Sequence, residues 1–383
     1  MIFLGAGASK PFNIKTSPEL TKILKEKITN ENPNLLEDII TFYIEDVGIE
    51  PDFETMLTQL TAFTDPDKIA PTHNSLIFVR QNQEYAGDYS EVIKDMYKEV
   101  IGTCTNPFIE GSDNYLIPED LDDIFSKTYD ALFGAAFTLR QRNAMIFTTN
   151  YDPSIELWCQ KRNIECMDGT VGIVNPEIKK VMSPVQHINH LREFFKAPKY
   201  SGKSIGLVRL HGSIWTYKRP NSDALLKFNR PADRLAFPDL YTRIRADMPR
   251  LIFPGQEDNL RIGRWDEYYQ YFKENLQSNC LFIGYSFRHS VINEQVRSRL
   301  DSNKIQKLGI FAPNPDKLLE NLFQGRDIPK DKIVRIKGYF GTEEGLEELN
   351  RNWFSKTLVR YWKQRQFYRK TLEWREETKT HYF

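Results

Sequence analysis

Asn150, Asp152 and His211 are the side chains around which a reaction can be built in this chain. Asn150 and Asp152 stand in Thr148-Thr149-Asn150-Tyr151-Asp152, directly after apolar Ala144-Met145-Ile146-Phe147. His211 follows Gly206-Leu207-Val208-Arg209-Leu210 and precedes Gly212-Ser213. An imidazole suits a proton step because its unperturbed pKa of about 6.5 lies near working pH. An amide donates and accepts hydrogen bonds with no change of charge. Two further polar tips end apolar runs: Gly5-Ala6-Gly7-Ala8-Ser9 after Ile2-Phe3-Leu4, and Gly284-Tyr285-Ser286-Phe287 after Cys280-Leu281-Phe282-Ile283. Glycine permits a tight turn and close approach of backbone to a phosphate, and a following helix N-terminus offers free N–H groups to an anion. A lone Gly-x-Gly is common. Four such tips point to one nucleotide site, because ligands gather at the carboxyl ends of strands in an open parallel sheet.

The elements needed to carry these tips follow from the apolar pattern. Strands are expected to end at Leu4, Thr149 and Leu210, and to span Cys280–Ile283, Leu308–Phe311 and Ile333–Ile336. Six principal strands separated by helical segments make an α/β fold with the strand count of a doubly wound dinucleotide-binding sheet. A helix is expected to open with Ser17 as N-cap and Pro18 at N1, its apolar face being Leu20, Ile23, Leu24 and Ile28. Helical spacing recurs in Leu35 to Ile44, Phe53 to Phe63, Val92 to Ile101 and Ile124 to Leu139, punctuated by Pro66, Pro71, Pro107 and Pro118. This stretch far exceeds a simple βα crossover and reads as a helical subdomain, residues 16–143, inserted between the first two strands. The scaffold is then residues 1–15 and 144–345. A helix from Ser154 to Arg162 and a short strand at Ile164–Met167 follow the Asn150 tip. Two proline-punctuated stretches, through Gly169, Gly172, Pro176, Pro184 and Pro198 and from Pro220 to Pro254, read as loop-rich or irregular.

With 383 residues, 40% hydrophobic content, 25 Phe and 18 Tyr, the composition is that of a globular protein. No apolar run approaches the ~20 residues of a membrane span, and Ile2-Phe3-Leu4 is too short for a cleavable leader, so no membrane contact and a cytoplasmic location are expected. Cys104, Cys159, Cys166 and Cys280 contain no C-x-x-C pair, so no structural zinc and no other metal is expected. Net charge is zero, yet residues 351–383 carry nine Lys/Arg against three Asp/Glu. That tail, 346–383, reads as a basic and aromatic helix: an amphipathic packing or oligomer helix is the plainer account, a nucleic-acid contact the alternative.

Taken in order, GAGAS, TTNYD, LHGS and GYSF resemble the SIR2 (sirtuin) family, and most of all the prokaryotic defence-associated SIR2 proteins of the stand-alone, SIR2–HerA type. The resemblance implies a Rossmann-like fold and NAD as substrate. It implies that Gly5, Ala6, Gly7, Ala8 and Ser9 hold the pyrophosphate, with Ser9 a phosphate ligand or a helix cap. Gly284, Tyr285 and Ser286 would contact cofactor phosphate and adenosine ribose, and Asn314, after Ala312-Pro313, the ribose hydroxyls. Asn150 and His211 would face the nicotinamide ribose, flanked by Thr149, Tyr151 and Gly212. Asp152 would polarise a neighbour or cap the helix near Ser154. His73, His187, His190, His289 and His381 carry no such support.

By this resemblance the activity is NAD glycohydrolysis to nicotinamide and ADP-ribose, depleting NAD during phage infection (abortive infection). The implied partners are a second copy of the chain in a homo-oligomer and a separately encoded sensor or activator. A HerA-type ATPase leads, with a short Argonaute second; nucleic acid would enter through that partner or the basic tail. The chain lacks the zinc cysteines and the Pro-Asp-Phe-Arg stretch of the deacetylases, which sets NAD-dependent deacylation or ADP-ribosyl transfer behind hydrolysis. Two rivals come from other classes. Asp168 with Glu177-Ile178-Lys179 has the D…E-x-K spacing of metal-dependent nucleases, and a site that only binds NAD or ADP-ribose would make the protein an assembly module.

Overall fold

The computed structural model describes residues 1–31, 52–54, 56–57, 96, 99–104, 119–136, 143–175, 178–196, 203–218, 225–228, 249–251 and 265–354. The helical runs expected at Leu35 to Ile44 and Val92–Ile93, the closing basic helix, and Glu177, His73 and His381 lie outside them.

The chain opens with strand β1 (Ile2–Leu4) and helix α1 (Ser17–Glu31). Helices α2 (Glu119–Phe125) and α3 (Ala131–Ala136) are joined through a π-helical turn, Ser126–Asp130. Then come β2 (Asn143–Thr148), α4 (Ser154–Lys161), β3 (Glu165–Met167), β4 (Thr170–Asn175), β5 (Ile178–Val181) and α5 (Pro184–Lys196). Strands β6 (Ser204–Arg209), β7 (Gly212–Lys218), β8 (Leu225–Phe228) and β9 (Pro249–Leu251) follow. The rest alternates: α6 (Asp266–Asn275), β10 (Ser278–Ile283), α7 (Ser290–Asp301), β11 (Ile305–Ala312), α8 (Pro315–Phe323), β12 (Ile333–Lys337) and α9 (Glu343–Asn352).

Seven strands pair in the order β12-β11-β10-β1-β2-β6-β3, and every pairing is parallel. The six expected strands are all present; the seventh is β3, the short strand at Glu165–Met167, which joins the edge beside β6. Both faces of such a sheet are buried, as its near-continuous apolar strands require. Leu4, Ile146, Leu207 and Ile283 point into one core cluster, while Phe3, Phe147, Val208 and Phe282 point into the other. Phe3 stacks on Phe282 with ring centroids 4.8 Å apart, locking the two central strands together. Phe53, Met56, Leu57, Met96 and Val100, from the segment read as a helical insertion, share the first of those clusters with the sheet.

The stretches read as loop-rich and irregular are the main correction. Together with the segment that follows His211, they hold a five-stranded sheet of order β4-β5-β8-β7-β9, antiparallel at every pairing. Its strands are short, two of its pairings have register shifts, and β5 pairs with β8 across a long gap in sequence, so no local pattern announces it. The cap of α1 also differs. Thr16 rather than Ser17 caps it: the Glu19 carboxylate accepts from the Thr16 backbone N–H at 2.8 Å and from its hydroxyl at 2.7 Å, the returning half of a capping box. The Lys10 ammonium first, and then these bonds, hold the Glu19 carboxyl down at about 2.

Candidate functional site

Register decides where the site lies. Leu4 stands opposite Thr148 and Ile283, Thr148 opposite Arg209, and Ile283 opposite Phe311. Five strands therefore end in one row, and the five tips that follow them are forced to be neighbours. The chain moves from β1 outward through β2 to β6, then returns to β10 on the other side of β1, so the strand order reverses at β1/β10. A crevice at such a reversal is where open α/β sheets bind ligands.

A cavity of about 450 Å³ occupies that crevice, within the ~300–1,000 Å³ usual for ligand pockets. From the Gly5 loop it is lined by Ala6, Gly7 and Ser9, and from the β2 tip by Thr149, Asn150, Tyr151 and Asp152. His211 lines it too, with Gly284, Tyr285 and Ser286 from the β10 tip and Asn314 after β11. Gly5, Ala8 and Gly212 do not line it. Gly5 is a packing residue: a Cβ there would sit 2.5 Å from Tyr285 Cα, and its N–H donates to Ile283 O at 2.9 Å. Gly284, at φ +61°, presses against Gly7 and Ala8, and a Cβ on it would lie 2.5 Å from Ala8 N. These glycines let two backbone turns touch. Gly212, at φ +82°, makes the joint where the chain leaves the parallel sheet at Arg209 and enters the antiparallel one.

Asn150 and Asp152 are tied to the first loop through Ser9. The Asn150 amide nitrogen donates to Gly5 O at 3.0 Å and to Ser9 Oγ at 2.7 Å, and Ser9 Oγ donates to Asp152 Oδ2 at 2.6 Å. The Ser9 hydroxyl thus bridges an amide and a carboxylate. Asp152 Oδ1 accepts from Ser154 N at 3.0 Å, so this carboxylate both orients a neighbour and steadies the start of α4. Asn314 lines the cavity and caps α8, its side chain accepting from Lys317 N at 3.2 Å. Four buried polar atoms of lining residues, Ser17 Oγ, Asn150 Oδ1, His211 Nε2 and the Tyr285 hydroxyl oxygen, have no partner among the described residues. A buried polar atom without a partner is costly and points to a ligand that supplies one.

Behind the β2 tip lies a paired set of charges. Arg209 donates from its terminal nitrogens to Asn150 O and Asp152 O, both at 2.6 Å, and also pairs with Glu156. Lys227 on β8 bridges Glu156 Oε1 at 2.8 Å and Asp168 Oδ2 at 2.5 Å. Burial alone would push the Glu156 and Asp168 carboxyls up, but the adjoining cations hold both below their usual range. Asp168 is therefore engaged by Lys227 and by the N–H and hydroxyl of Thr170, from which it accepts, so the aspartate of the D…E-x-K reading is committed to these partners. His187 is likewise engaged, its ring nitrogens 2.9 Å from Tyr268 OH and 3.2 Å from Met167 O. No group of three or more His, Cys, Asp or Glu is placed to hold a metal among the described residues.

Among the cavity-lining residues that the motifs leave out are His289 and Glu54. His289 lies against His211 with ring centroids 4.4 Å apart. Burial, then the neighbouring imidazole, keeps His211 well below the ordinary histidine value; burial brings His289 down to about 4. Glu54, from the helical stretch, lines the cavity and accepts from Tyr151 OH at 3.2 Å. Burial, then Asp52, pushes its carboxyl up to about 8. Nothing local in the sequence marks either residue; both are brought in by packing.

No curated protein matches the chain. Residues 144–330, just under half of the length, match the family model for the SIR2-like domain, and Asn150, His211 and the Gly284 turn all fall within the matched stretch; SIR2-like domains use NAD.

Proposed function

We propose that the protein is an NAD glycohydrolase that releases nicotinamide and ADP-ribose. The observation that carries this reading is one cavity, at the reversal of a parallel sheet, in which Asn150 Oδ1 and His211 Nε2 are both buried, with no partner among the described residues, beside a glycine loop. Those atoms fit a ribose. An amide oxygen accepts from a sugar hydroxyl, and a neutral imidazole accepts or donates one as its tautomer dictates. Nicotinamide is a neutral leaving group, so the protein needs no strong nucleophile; it needs to orient the sugar, admit one water and dispose of one proton. His211 meets the first need in its neutral form, the state its burial favours. Ser9, held between Asn150 and Asp152, keeps the amide oxygen turned toward the cavity.

The resemblance of the four tips to defence-associated SIR2 proteins supports a role as an NAD-depleting effector in antiphage defence, working as a homo-oligomer with a separately encoded trigger of the HerA-type ATPase class. No helix among the described residues is long and apolar enough to cross a membrane. Incubation of the protein with NAD, with and without the product of the adjacent gene, should release nicotinamide. Asn150→Ala and His211→Ala are each expected to lower that release about 100-fold or more while the circular dichroism spectrum is kept. Undiminished turnover in both variants would refute the assignment. Release that requires an acetylated peptide would move the protein to the deacylases.

A further inference from the structure

The cavity is closed on one side by residues that belong neither to the SIR2-like match nor to the sequence motifs. Phe53, Glu54, Val100 and Cys104 all line it, and all precede residue 144. Phe53, Val100 and Cys104 supply apolar wall; Glu54 is the carboxylate among them. Its backbone is fixed on either side. Phe53 N donates to Thr21 Oγ1 at 2.9 Å, Met56 N donates to Asp52 O at 2.9 Å, and Phe53, Met56 and Leu57 are sunk in the core beside Tyr151 and Ile155. Tyr151 is the next residue after Asn150; its hydroxyl reaches Glu54 at 3.2 Å and its ring centroid is 6.1 Å from that of His211. A carboxylate is thus one hydrogen bond from the turn that carries the amide, and it lines the same cavity as the imidazole pair.

From this placement we infer that Glu54 is a further catalytic residue, the base that takes the proton of the attacking water. The inference rests on the NAD-hydrolysis reading of the same site. In the step, the water oxygen bonds to C1′ of the nicotinamide ribose as the C1′–N bond breaks. The electron pair of that bond goes to the pyridinium nitrogen, which leaves as neutral nicotinamide. The water proton goes to a Glu54 carboxylate oxygen and from there to solvent, so nothing is oxidised or reduced. The alternative bases are poorly suited: burial has already emptied His211 and His289 of protons, but as very weak bases they hold one badly. Ser9 and Ser154 occupy the two oxygens of Asp152.

The charged and titratable groups that face Glu54 among the described residues are Asp52 on its own turn, Arg288 and Tyr285 from the β10 tip, and Tyr151. Arg288 Nη1 stands 3.8 Å from Asp52 Oδ2, which tempers the repulsion between the two carboxylates. Burial and Asp52 raise the Glu54 carboxyl to about 8, and the Tyr151 hydrogen bond and Arg288 oppose them. Because the ionised form is the base, turnover should climb with pH and level off above that value.

The test is steady-state nicotinamide release by the full chain, with NAD as substrate, over a pH series. Glu54→Gln keeps the size and a hydrogen-bond acceptor but cannot take the proton. It is expected to lower kcat about 100-fold, leave KM for NAD unchanged, and flatten the rise with pH. Tyr151→Phe removes the donor that favours the ionised carboxyl, and should move the midpoint of that rise to higher pH. A Glu54→Gln protein with wild-type kcat and pH profile, in a series where His211→Ala is inactive, overturns this inference alone. If Glu54→Gln fails to fold, an unmoved midpoint in Tyr151→Phe overturns it. A wild-type protein that releases no nicotinamide overturns both this inference and the reading beneath it.

Discussion

Two clusters of buried polar side chains meet at the Asn150–Asp152 turn, and their hydrogen bonding is opposite in kind. Behind the turn, Arg209, Glu156, Lys227 and Asp168 alternate in sign, and each charge is matched. In front of it, Asn150 Oδ1 and His211 Nε2 are buried with no partner among the described residues, two imidazoles lie with ring centroids 4.4 Å apart, and the Glu54 carboxyl lining the same cavity is driven toward its neutral form. The first cluster is what burial demands of charge in a folded protein. The second violates that demand, and it does so where the cavity opens. The matched set acts as a brace. Through Arg209 it grips the two carbonyls of the turn whose side chains the cavity uses. Lys227 extends that grip to the antiparallel sheet.

The comparison can be broken most sharply from the matched side. Glu156→Ala leaves Arg209 and Lys227 facing each other in the interior without their shared carboxylate, and removing one partner of a buried pair costs about 3–5 kcal/mol. Urea unfolding should record a loss of that size; a loss near zero would mean that the cluster is not a brace. Ser9→Ala is expected to cost less, about 1–3 kcal/mol, because it strands the Asn150 amide and the Asp152 carboxylate together. It should also reduce nicotinamide release, since the amide is then held by Gly5 O alone; a variant that loses stability but no activity would separate the loop from the chemistry.

The smallest effect concerns pH and sharpens the contrast from the cavity side. His211 and His289 are held below the ordinary value near 6.5, His289 at about 4, so the unfolded chain binds protons in that interval that the folded one refuses. Their neutral burial favours the fold fully above about 6.5 and progressively less as pH falls toward 4. Glu156 and Asp168, also depressed, lose their contribution only at more acid pH, below the ordinary carboxylate range. Thermal midpoints should therefore begin to fall between pH 6.5 and 5, and His289→Gln should flatten that first decline. An unchanged slope in the variant would show that the imidazole does not resist protonation.

Much of the parallel scaffold was legible because it is written locally. Largely apolar strands of three to six residues ending in glycine or polar tips mark β1, β2, β6 and β10, and periodicity needs only neighbours in sequence to be read. The antiparallel sheet was not legible, since β5 recognises β8 and β7 recognises β9 only in three dimensions. The site divides the same way. Asn150 and His211 stand at strand ends and advertise themselves. Ser9 looked like a phosphate ligand, and its bonds to Asn150 and Asp152 emerge only when two loops are laid side by side. His289 and Glu54 had no signature at all: one follows the β10 tip by a few residues, the other sits in a helical stretch that reads as core.

The order of residues along this chain determined which strands the parallel sheet has, which of them end in polar tips, and that no C-x-x-C pair is present, because each depends on composition and short-range spacing alone. Only the tertiary structure decided which tips share a register, that Arg209 faces Glu156, and that a glutamate ninety-six positions before Asn150 completes the same cavity wall. The physical reason is that partners for buried polar groups are chosen by proximity after collapse, and a chain's spacing does not encode proximity between segments that a whole crossover separates.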